Sequence, residues 1–182
     1  MPNWVDNELK VSGQEQKLEE FKEQAKTKET ALSLNKFIPM PEELDGTTSP
    51  SEYDKDLEKK YGFSNWYDWR IVNWGCKWDV EAHCSCEKGN LYYNFDSPWS
   101  PPIVAIGKIG EMFPELFFEL RYEEEGNGFC GIFQVKNGEI IFDESKDIEY
   151  GTCPKCGEES YITMAGRCSV CDETIISLIK KG

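Results

Sequence analysis

Apolar and polar residues alternate at the start of the chain. Over residues 4–11 the apolar side chains share one face of an extended segment: Val5, Leu9 and Val11. This alternation predicts a strand. Ser12 and Glu15 then have the spacing of a capping box, and the apolar residues that follow recur at helical intervals, at Leu18, Phe21 and Ala25. Leu32 and Leu34 alternate again, so we predict a second strand and a β-α-β unit over the first third of the chain.

Residues 49–75 predict helices that interrupt the sheet. A capping box with proline in its first turn spans residues 49–52, and Gly62 is expected to end the helix that follows. The apolar stripe of this helix consists of Tyr53, Leu57 and Tyr61. Ser64 is expected to cap a second, short helix that carries two tryptophans. We therefore predict a helical insertion over residues 49–75.

Strand patterns return after the insertion. Alternation places four residues on one strand face, namely Val80, Ala82, Cys84 and Cys86, and a turn at residues 88–90 leads into the next strand. Two prolines open a helix with the apolar residues Ile103, Ile106, Ile109 and Phe113. A strand is predicted over residues 116–122, and Asn137-Gly138 is typical of a hairpin turn between two more strands. The whole pattern predicts an α+β fold, an antiparallel sheet with helices on one face.

Four cysteines near the end of the chain have the spacing of metal ligands. They form two pairs with two-residue gaps, separated by eleven residues: Cys153, Cys156, Cys168 and Cys171. An all-thiolate tetrahedral shell leaves no open position, so we predict a zinc ribbon with one structural Zn²⁺. Iron in a rubredoxin-like site and two disulfides are the alternatives. The polar segment 143–151 is the candidate linker between this ribbon, residues 151–182, and a main domain, residues 1–145.

Charge and cysteine content narrow the class of protein. The net charge is −14, and basic and acidic residues cancel over residues 151–182, so the excess lies in residues 1–150. Because phosphate backbones are bound by Lys and Arg, direct nucleic-acid binding by the main domain is disfavoured. No apolar run reaches membrane-spanning length, and the first residues do not resemble a signal peptide. With eight cysteines, these features favour a soluble protein of the reducing cytoplasm.

Several motifs together resemble a known family. The most distinctive is Asn65-Trp66-Tyr67-Asp68-Trp69-Arg70, followed by Asn73-Trp74-Gly75-Cys76-Lys77-Trp78-Asp79. The later segments 95–102 and 122–131 and the earlier segment 35–41 add to the similarity. Residues 1–145 thereby resemble the YubB-like ferredoxin-like domain family, found in proteins of phages, plasmids and other mobile elements. This resemblance implies a ferredoxin-like β-α-β-β-α-β sheet, and it carries no activity or catalytic residue.

Two other patterns favour ordinary structural roles. Cys76, His83, Cys84 and Cys86 suggest a second metal site, but strand alternation places His83 opposite the two neighbouring cysteines, so we interpret these cysteines, like Cys130, as structural thiols. Residues 126–131 match the dinucleotide fingerprint G-x-G-x-x-G. That motif binds a pyrophosphate where a strand leads into a helix, whereas this segment leads into a strand. We therefore interpret its glycines as a turn or bulge.

Five of the six tryptophans fall between residues 66 and 99. The ordinary interpretation is a hydrophobic cap over one end of the sheet. The functional alternative is an aromatic surface that binds a partner, because Trp and Arg are enriched where proteins bind each other. Its candidate residues are Trp66, Trp69, Arg70, Trp74, Trp78 and Trp99.

These observations favour a non-enzymatic adaptor or interaction protein of a phage, a mobile element or its bacterial host. Its expected partner is a host or phage protein. One alternative is an acidic inhibitor that mimics nucleic acid and occupies a basic site on a host defence or regulatory protein. Another alternative is an enzyme that uses Asp68, Arg70 and Asp96 in a cleft. Catalysis is otherwise poorly supported, because the single histidine has no evident partner and no phosphate loop or nucleophile elbow is present.

Overall fold

The computed structural model describes residues 3–49, 54–163, 166–175 and 177–178. The strands are β1 (Trp4–Ser12), β2 (His83–Glu87), β3 (Asn90–Pro98), β4 (Phe117–Glu124), β5 (Phe129–Lys136), β6 (Glu139–Asp147), β7 (Tyr150–Thr152) and β8 (Glu159–Tyr161). The helices are α1 (Glu15–Ala25), α2 (Glu42–Asp45), α3 (Lys55–Tyr61), α4 (Trp66–Trp74) and α5 (Ile103–Met112), with a 3₁₀ turn at Leu34–Lys36. None of the described helices is long and apolar enough to cross a membrane.

Six strands form the main sheet in the order β2-β3-β1-β4-β5-β6, and all neighbouring pairs are antiparallel. Along the chain, β1, α1, β2, β3, α5 and β4 follow each other as in a β-α-β-β-α-β unit. Their strands lie side by side as β4-β1-β3-β2, which is the ferredoxin-like arrangement. The hairpin of β5 and β6 extends the sheet beyond β4. The predicted α+β fold with an antiparallel, ferredoxin-like sheet is confirmed.

The core lies between this sheet and the helices α1 and α5. In β1 and β4 alternate residues are buried, as the sequence pattern predicts. Phe21 of α1 contacts the rings of Tyr93 and Phe118 edge to face, with centroids 5.9 and 5.5 Å apart. Gly107 of α5 lies against Phe133 on the same face. One face of the sheet is therefore covered by helices, and the opposite face, which we call the open face, carries the polar residues of the same strands.

The strand predicted at Leu32 and Leu34 is wrong. Leu32, Ser33 and Leu34 are all buried, which breaks the alternation, and the chain enters a 3₁₀ turn at Leu34. The carboxylate of Asp79 causes this path, because it accepts hydrogen bonds from Ser33 Oγ and from the Leu34 backbone N–H, both at 2.6 Å. The second strand of the ferredoxin-like unit is instead β2, which follows the helical insertion.

The predicted helix starts are partly wrong as well. Ser12 stays in β1, and α1 begins after Gln14 without a side-chain cap, so the proposed capping box does not form. Residues 50–52 of the second proposed box and Tyr53 of the predicted apolar stripe lie outside the described residues. Asp54 caps α3 by accepting from two backbone N–H groups. Asn65, one residue after Ser64, caps α4.

The predicted chain reversals are confirmed. Gly62 ends α3 in the left-handed conformation, with φ 77°. Asn137 and Gly138, at the predicted hairpin turn, both have positive φ, 55° and 76°, as a type I′ turn requires.

Candidate metal centre

The four cysteines of the predicted ribbon come together. All four Sγ atoms lie within 4.8 Å of one another. Cys153 Sγ is 4.0 Å from Cys171 Sγ, and Cys156 Sγ is 3.9 Å from Cys168 Sγ. A disulfide needs about 2.05 Å between the sulfurs, so these thiols are not oxidised pairs. Each of these two distances joins a thiol of the first sequence pair to a thiol of the second pair, so the two pairs meet at one site.

Each cysteine pair lies in a tight turn of the same form. Gly157 N–H donates to Cys153 O at 2.9 Å, and Asp172 N–H donates to Cys168 O at 3.0 Å. Gly157 and Asp172 both have positive φ, 79° and 58°. In each turn the residue two positions after the first cysteine points its N–H at that sulfur, at 3.3 Å in the first turn and 3.4 Å in the second. Backbone N–H groups aimed at sulfur stabilise thiolates, the form of cysteine that binds metals.

The sulfur spacing fits a tetrahedral ion. A tetrahedron with metal–sulfur bonds of about 2.3 Å has edges of about 3.8 Å, close to the two sulfur–sulfur distances above. Four thiolates fill such a shell and leave no position for water or substrate. Zn²⁺ and iron both accept this donor set. The four cysteines could thus hold one metal ion in a closed, structural site.

A small separate core surrounds the site. Cys153, Cys168 and Ile175 are buried together, with Ile162 and Leu178 packed against them. β7 and β8 form a two-stranded sheet beside it. Among the apolar residues of the ribbon, Tyr161 and Ile175 are buried, whereas Ile176 lies outside the described residues. We call residues 150–178 the cysteine module.

Tyr161 links the cysteine module to the main sheet. Tyr161 lies in β8, between the two cysteine pairs in the chain, and its hydroxyl is 2.6 Å from a carboxylate oxygen of Glu125 and 3.4 Å from one of Glu123. Burial is the main cause that raises the pKa of Tyr161, and the hydrogen bond with Glu125 adds to it. The hydroxyl therefore stays protonated and donates to the carboxylates at the end of β4.

A cleft of about 530 Å³ lies between the cysteine module and the open face of the sheet. Most of its charged lining is acidic, and the sheet contributes Asp6, Glu8, His83, Asp96, Arg121 and Glu123. The module contributes Thr163, Arg167 and Asp172. Burial raises the pKa of Asp6 to about 6, helped by the hydrogen bond and the charge of Asp96. Sequence reasoning did not find this cleft, although the polar face of each strand carried the signal.

A family comparison identifies the domain. The model for the ferredoxin-like domain in Api92-like protein matches residues 73–163, half of the chain. This chain belongs to that family. The match includes β2 to β8 and the first cysteine pair, and it ends before the second pair. It agrees with the ferredoxin-like fold implied by the sequence resemblance, whereas the YubB-like relationship stays a prediction.

A solved structure supports the fold of this Api92-like protein. The crystal structure of a protein api92 from Yersinia pseudotuberculosis is similar to it, with a TM-score of 0.52. The two sequences are 12% identical, and the alignment covers 85% of this chain and 100% of that chain. At this identity the likeness concerns the fold alone. No curated protein matches the sequence.

The tryptophans of the Api92-like protein are divided between core and surface. Trp69 and Trp74 are buried, and Trp74 Nε1 donates to Ile38 O at 3.0 Å. Trp66 and Trp78 are half-buried, whereas 58% of Trp99 is exposed. Arg70 lies over the rings of Trp66 and Trp74, at 5.0 and 5.1 Å. The six predicted partner-binding residues therefore do not share one surface, and Trp99 is the most exposed of them.

The three residues of the proposed catalytic cleft make separate contacts. Asp68 accepts from Asn65 Nδ2 at 2.8 Å, within the start of α4. Arg70 pairs with Asp45 at 3.4 Å. Asp96 lies on the open face and interacts with Asp6. This particular triad is not assembled.

The other motifs have structural roles. His83 and Cys84 alternate in β2, opposite Asn94 and Tyr93, so they lie on different faces as predicted. Cys76 is buried, and burial raises the pKa of its thiol to about 12. The glycine-rich segment 126–131 leads from the turn after β4 into β5. The Glu124 carboxylate accepts from the N–H groups of Gly126 and Asn127 at 2.7 and 2.6 Å. A carboxylate in this position occupies the donors that a phosphate would need.

Proposed function

We propose that this Api92-like protein is a non-enzymatic binding protein that acts through protein–protein contact and carries one structural zinc ion. The observation that carries the proposal is Trp99, a bulky side chain that is 58% exposed and whose backbone has φ 73°. A non-glycine residue in this conformation is strained, and such strain concentrates at functional positions. An exposed tryptophan is also a typical anchor of protein interfaces.

Other exposed aromatic area adjoins Trp99. Its N–H donates to Asn3 O at 2.9 Å, which places it beside the first residues of β1. Trp4 is 48% exposed, and its ring centroid is 5.9 Å from that of Trp78. We call Trp4, Trp78 and Trp99 the tryptophan surface. It presents exposed aromatic area, with Lys77 Nζ 4.7 Å from the ring centroid of Trp78, and it is our proposed contact site for a partner.

The zinc assignment rests on the donor set. Four thiolates form a closed shell, so the ion would stabilise the cysteine module and leave no open position for catalysis. We propose zinc over iron because structural four-cysteine sites with this spacing are typical of zinc ribbons. Metal analysis of protein purified without added metal tests this assignment: about one zinc per chain is expected, and iron or no metal would overturn it. We further propose residues 1–145 and 151–182 as two domains.

The biological setting is proposed from the sequence. The tryptophan-rich segment resembles the YubB-like family, which favours a protein of a phage or mobile element and a host or phage protein as its partner, in the cytoplasm. Charge mimicry of nucleic acid is a second candidate function. The acidic cleft favours it, because Asp6, Glu8, Asp96 and Glu123 line one side of that cleft.

Capture experiments with the full chain distinguish these functions. Wild-type protein and a Trp4→Ala, Trp99→Ala variant would serve as baits in a bacterial extract, with washes from about 0.1 to 1 M salt. Salt screens charge pairs, whereas it barely weakens apolar contacts. An aromatic contact predicts a partner that survives the washes and is lost with the variant. Charge mimicry predicts a partner that elutes with salt and binds the variant equally.

A Tyr150→Ala variant is the matched control, since Tyr150 is an exposed aromatic residue of the cysteine module. If its loss of partners equals that of the tryptophan variant, the tryptophan surface is not the contact site. If no partner is retained by any bait at any salt concentration, the binding function itself is contradicted.

A further inference from the structure

The outer edge of β6 is a long, uncovered strand. β6 has nine residues, and all of them are exposed. Among the described residues, β5 is the only strand that pairs with it. Every second residue of an edge strand directs its backbone N–H and C=O away from the sheet, where they can pair with another strand. The opposite edge, β2, has five residues and offers a shorter template.

The composition of β6 is unusual for an exposed edge. Ile140, Ile141 and Phe142 are 59%, 52% and 37% exposed. Ile140 lies opposite Val135, on the helix side of the sheet, and Phe142 lies opposite Gln134, on the open face. β6 therefore presents apolar area on both faces. Long apolar edges favour the addition of a strand, and proteins usually protect such edges with charge, proline or a cover.

The charged residues of β6 are mostly acidic. The strand has one lysine, Lys146, and four carboxylates, at Glu139, Asp143, Glu144 and Asp147. Its pairing with β5 is continuous from Phe142 to Asp147, beyond the irregularity opposite Gln134 and Val135. Three of the carboxylates lie in this regular stretch. An added strand would thus meet a regular backbone edge flanked by negative charge.

A second copy of the chain is a poor occupant of this edge. In the antiparallel register that sets Ile141 against Ile141, Glu139 of each copy faces Asp143 of the other. Like charges directly opposite each other destabilise a sheet. The register that sets Glu139 against Lys146 brings Ile141 opposite Glu144 and Phe142 opposite Asp143, so apolar residues then face carboxylates. A net charge of −14 on each copy adds to the repulsion.

We propose that β6 binds an extended segment of a partner protein in which apolar residues alternate with lysine or arginine. The segment adds a seventh strand to the sheet. Its backbone pairs with the outer edge of residues 142–147. Its apolar side chains lie on the open face beside Phe142, and its basic side chains lie on the opposite face, near Asp143 and Asp147. This inference rests on the proposed function, because it names the chemistry of a protein partner.

The test uses a fluorescent peptide of about ten alternating valine and lysine residues with capped ends, added to the full-length protein at low salt. We expect saturable binding by anisotropy and slower amide exchange in β6. An Asp143→Lys, Asp147→Lys variant should bind at least about tenfold more weakly. A Glu42→Lys, Glu87→Lys variant is the control, because it has the same net charge as the β6 variant. Its changes lie in α2 and β2, so its affinity for the peptide should stay within about twofold of the wild-type affinity.

A peptide methylated at alternate backbone nitrogens keeps its charge and loses the N–H donors of one edge. We expect it to lose binding. Equal binding of the methylated peptide, or an equal loss in the Glu42→Lys, Glu87→Lys variant, would show general charge attraction and overturn the inference. If the protein dimerises in solution and an Ile141→Pro change makes it monomeric, the edge binds a second copy of the chain. That result would overturn the inference as well. If the peptide does not bind but a partner is still captured through the tryptophan surface, this inference is wrong and the proposed function stands.

Discussion

At the scale of single residues, the surroundings of Asp6 on the open face disfavour its negative charge. Asp6 is partly buried, it shares a hydrogen bond with Asp96, and it lies near Glu123 and Glu125. Burial and these neighbours all disfavour its ionised form. The folded protein therefore holds a proton on Asp6 at a pH where the unfolded chain has released it.

Replacing Asp6 by asparagine should alter the pH dependence of stability. The pKa of Asp6 is raised from 3.8 to about 6 in the folded protein, so its contribution to the free energy of unfolding falls as pH rises through that window. Asparagine stays neutral, so the variant should gain stability over wild type as pH rises from about 4 to 7. Urea unfolding at several pH values measures the difference. A Glu42→Gln control should show no such trend, and a constant difference for Asp6→Asn would contradict the argument.

Gly131 is constrained by a neighbouring ring. A Cβ atom at this position would meet the ring and hydroxyl of Tyr122 and would lie 2.7 Å from Glu144 O. Gly131→Ala should therefore destabilise the protein by about 1–3 kcal/mol through overpacking. Gly46→Ala is the matched control, since its Cβ would meet no described atom within 4 Å. Denaturant melts measure both, and equal stabilities for the two variants would refute this role of Gly131.

Single contacts also explain which sequence predictions failed. Gly131 was interpreted as part of a turn or bulge, but it lies within β5, where the room is limited by Tyr122. The strand at Leu32 and Leu34 failed because Asp79, far away in the sequence, binds the backbone of that segment. Alternation shows which residues are apolar. It does not show which distant side chain will contact them.

At the scale of elements, predictions succeeded where local chemistry decides the outcome. The cysteine spacing led to four convergent sulfurs because each turn is set by its own residues. β1, β3, β4 and α5 followed their periodicity because one face of each is buried in the core. The acidic cleft was missed, since its lining comes from several strands and the cysteine module. Only the strand order brings those residues together.

The Tyr161 hydroxyl is expected to hold the cysteine module against the sheet. Tyr161→Phe removes the hydrogen bonds to Glu125 and Glu123. A hydrogen bond to a charged group contributes about 1.5–3 kcal/mol, so the module should open more often and exchange its amide hydrogens faster. Hydrogen exchange followed by mass spectrometry measures this. Tyr150→Phe is the control, and unchanged exchange in Tyr161→Phe would show that other contacts hold the module.

Loss of one thiolate should unfold the cysteine module and leave the sheet folded. Cys153 belongs to the small core of the module, whereas the main core consists of other residues. Binding of a structural zinc supplies on the order of 10 kcal/mol, which Cys153→Ser would largely remove. We expect lost metal, rapid exchange over β7 and β8, and intact protection of β1. A Cys86→Ser control should keep the metal, and joint collapse of module and sheet would contradict two separate cores.

At the scale of the whole molecule, negative charge opposes compactness. The net charge of −14 lies almost entirely in the sheet domain, so folding brings like charges together. Raising NaCl from about 0.02 to 0.5 M should screen this repulsion and raise Tm, measured by circular dichroism. The Glu42→Lys, Glu87→Lys variant has four fewer units of negative charge, and its Tm should depend less on salt. A Tm that is insensitive to salt in wild type would contradict the argument.

The central position of β1 has a consequence for biosynthesis. β1 lies between β3 and β4, so the strand translated first among the six is paired only when residues 90–124 have left the ribosome. At roughly 5–20 residues per second, the ribosome takes roughly 5–20 s to reach the end of β4 after β1. During that time an apolar strand waits in the nascent chain without its neighbours. The yield of folded protein should therefore depend on chaperones that shield unfolded segments, and on the speed of translation before residue 90.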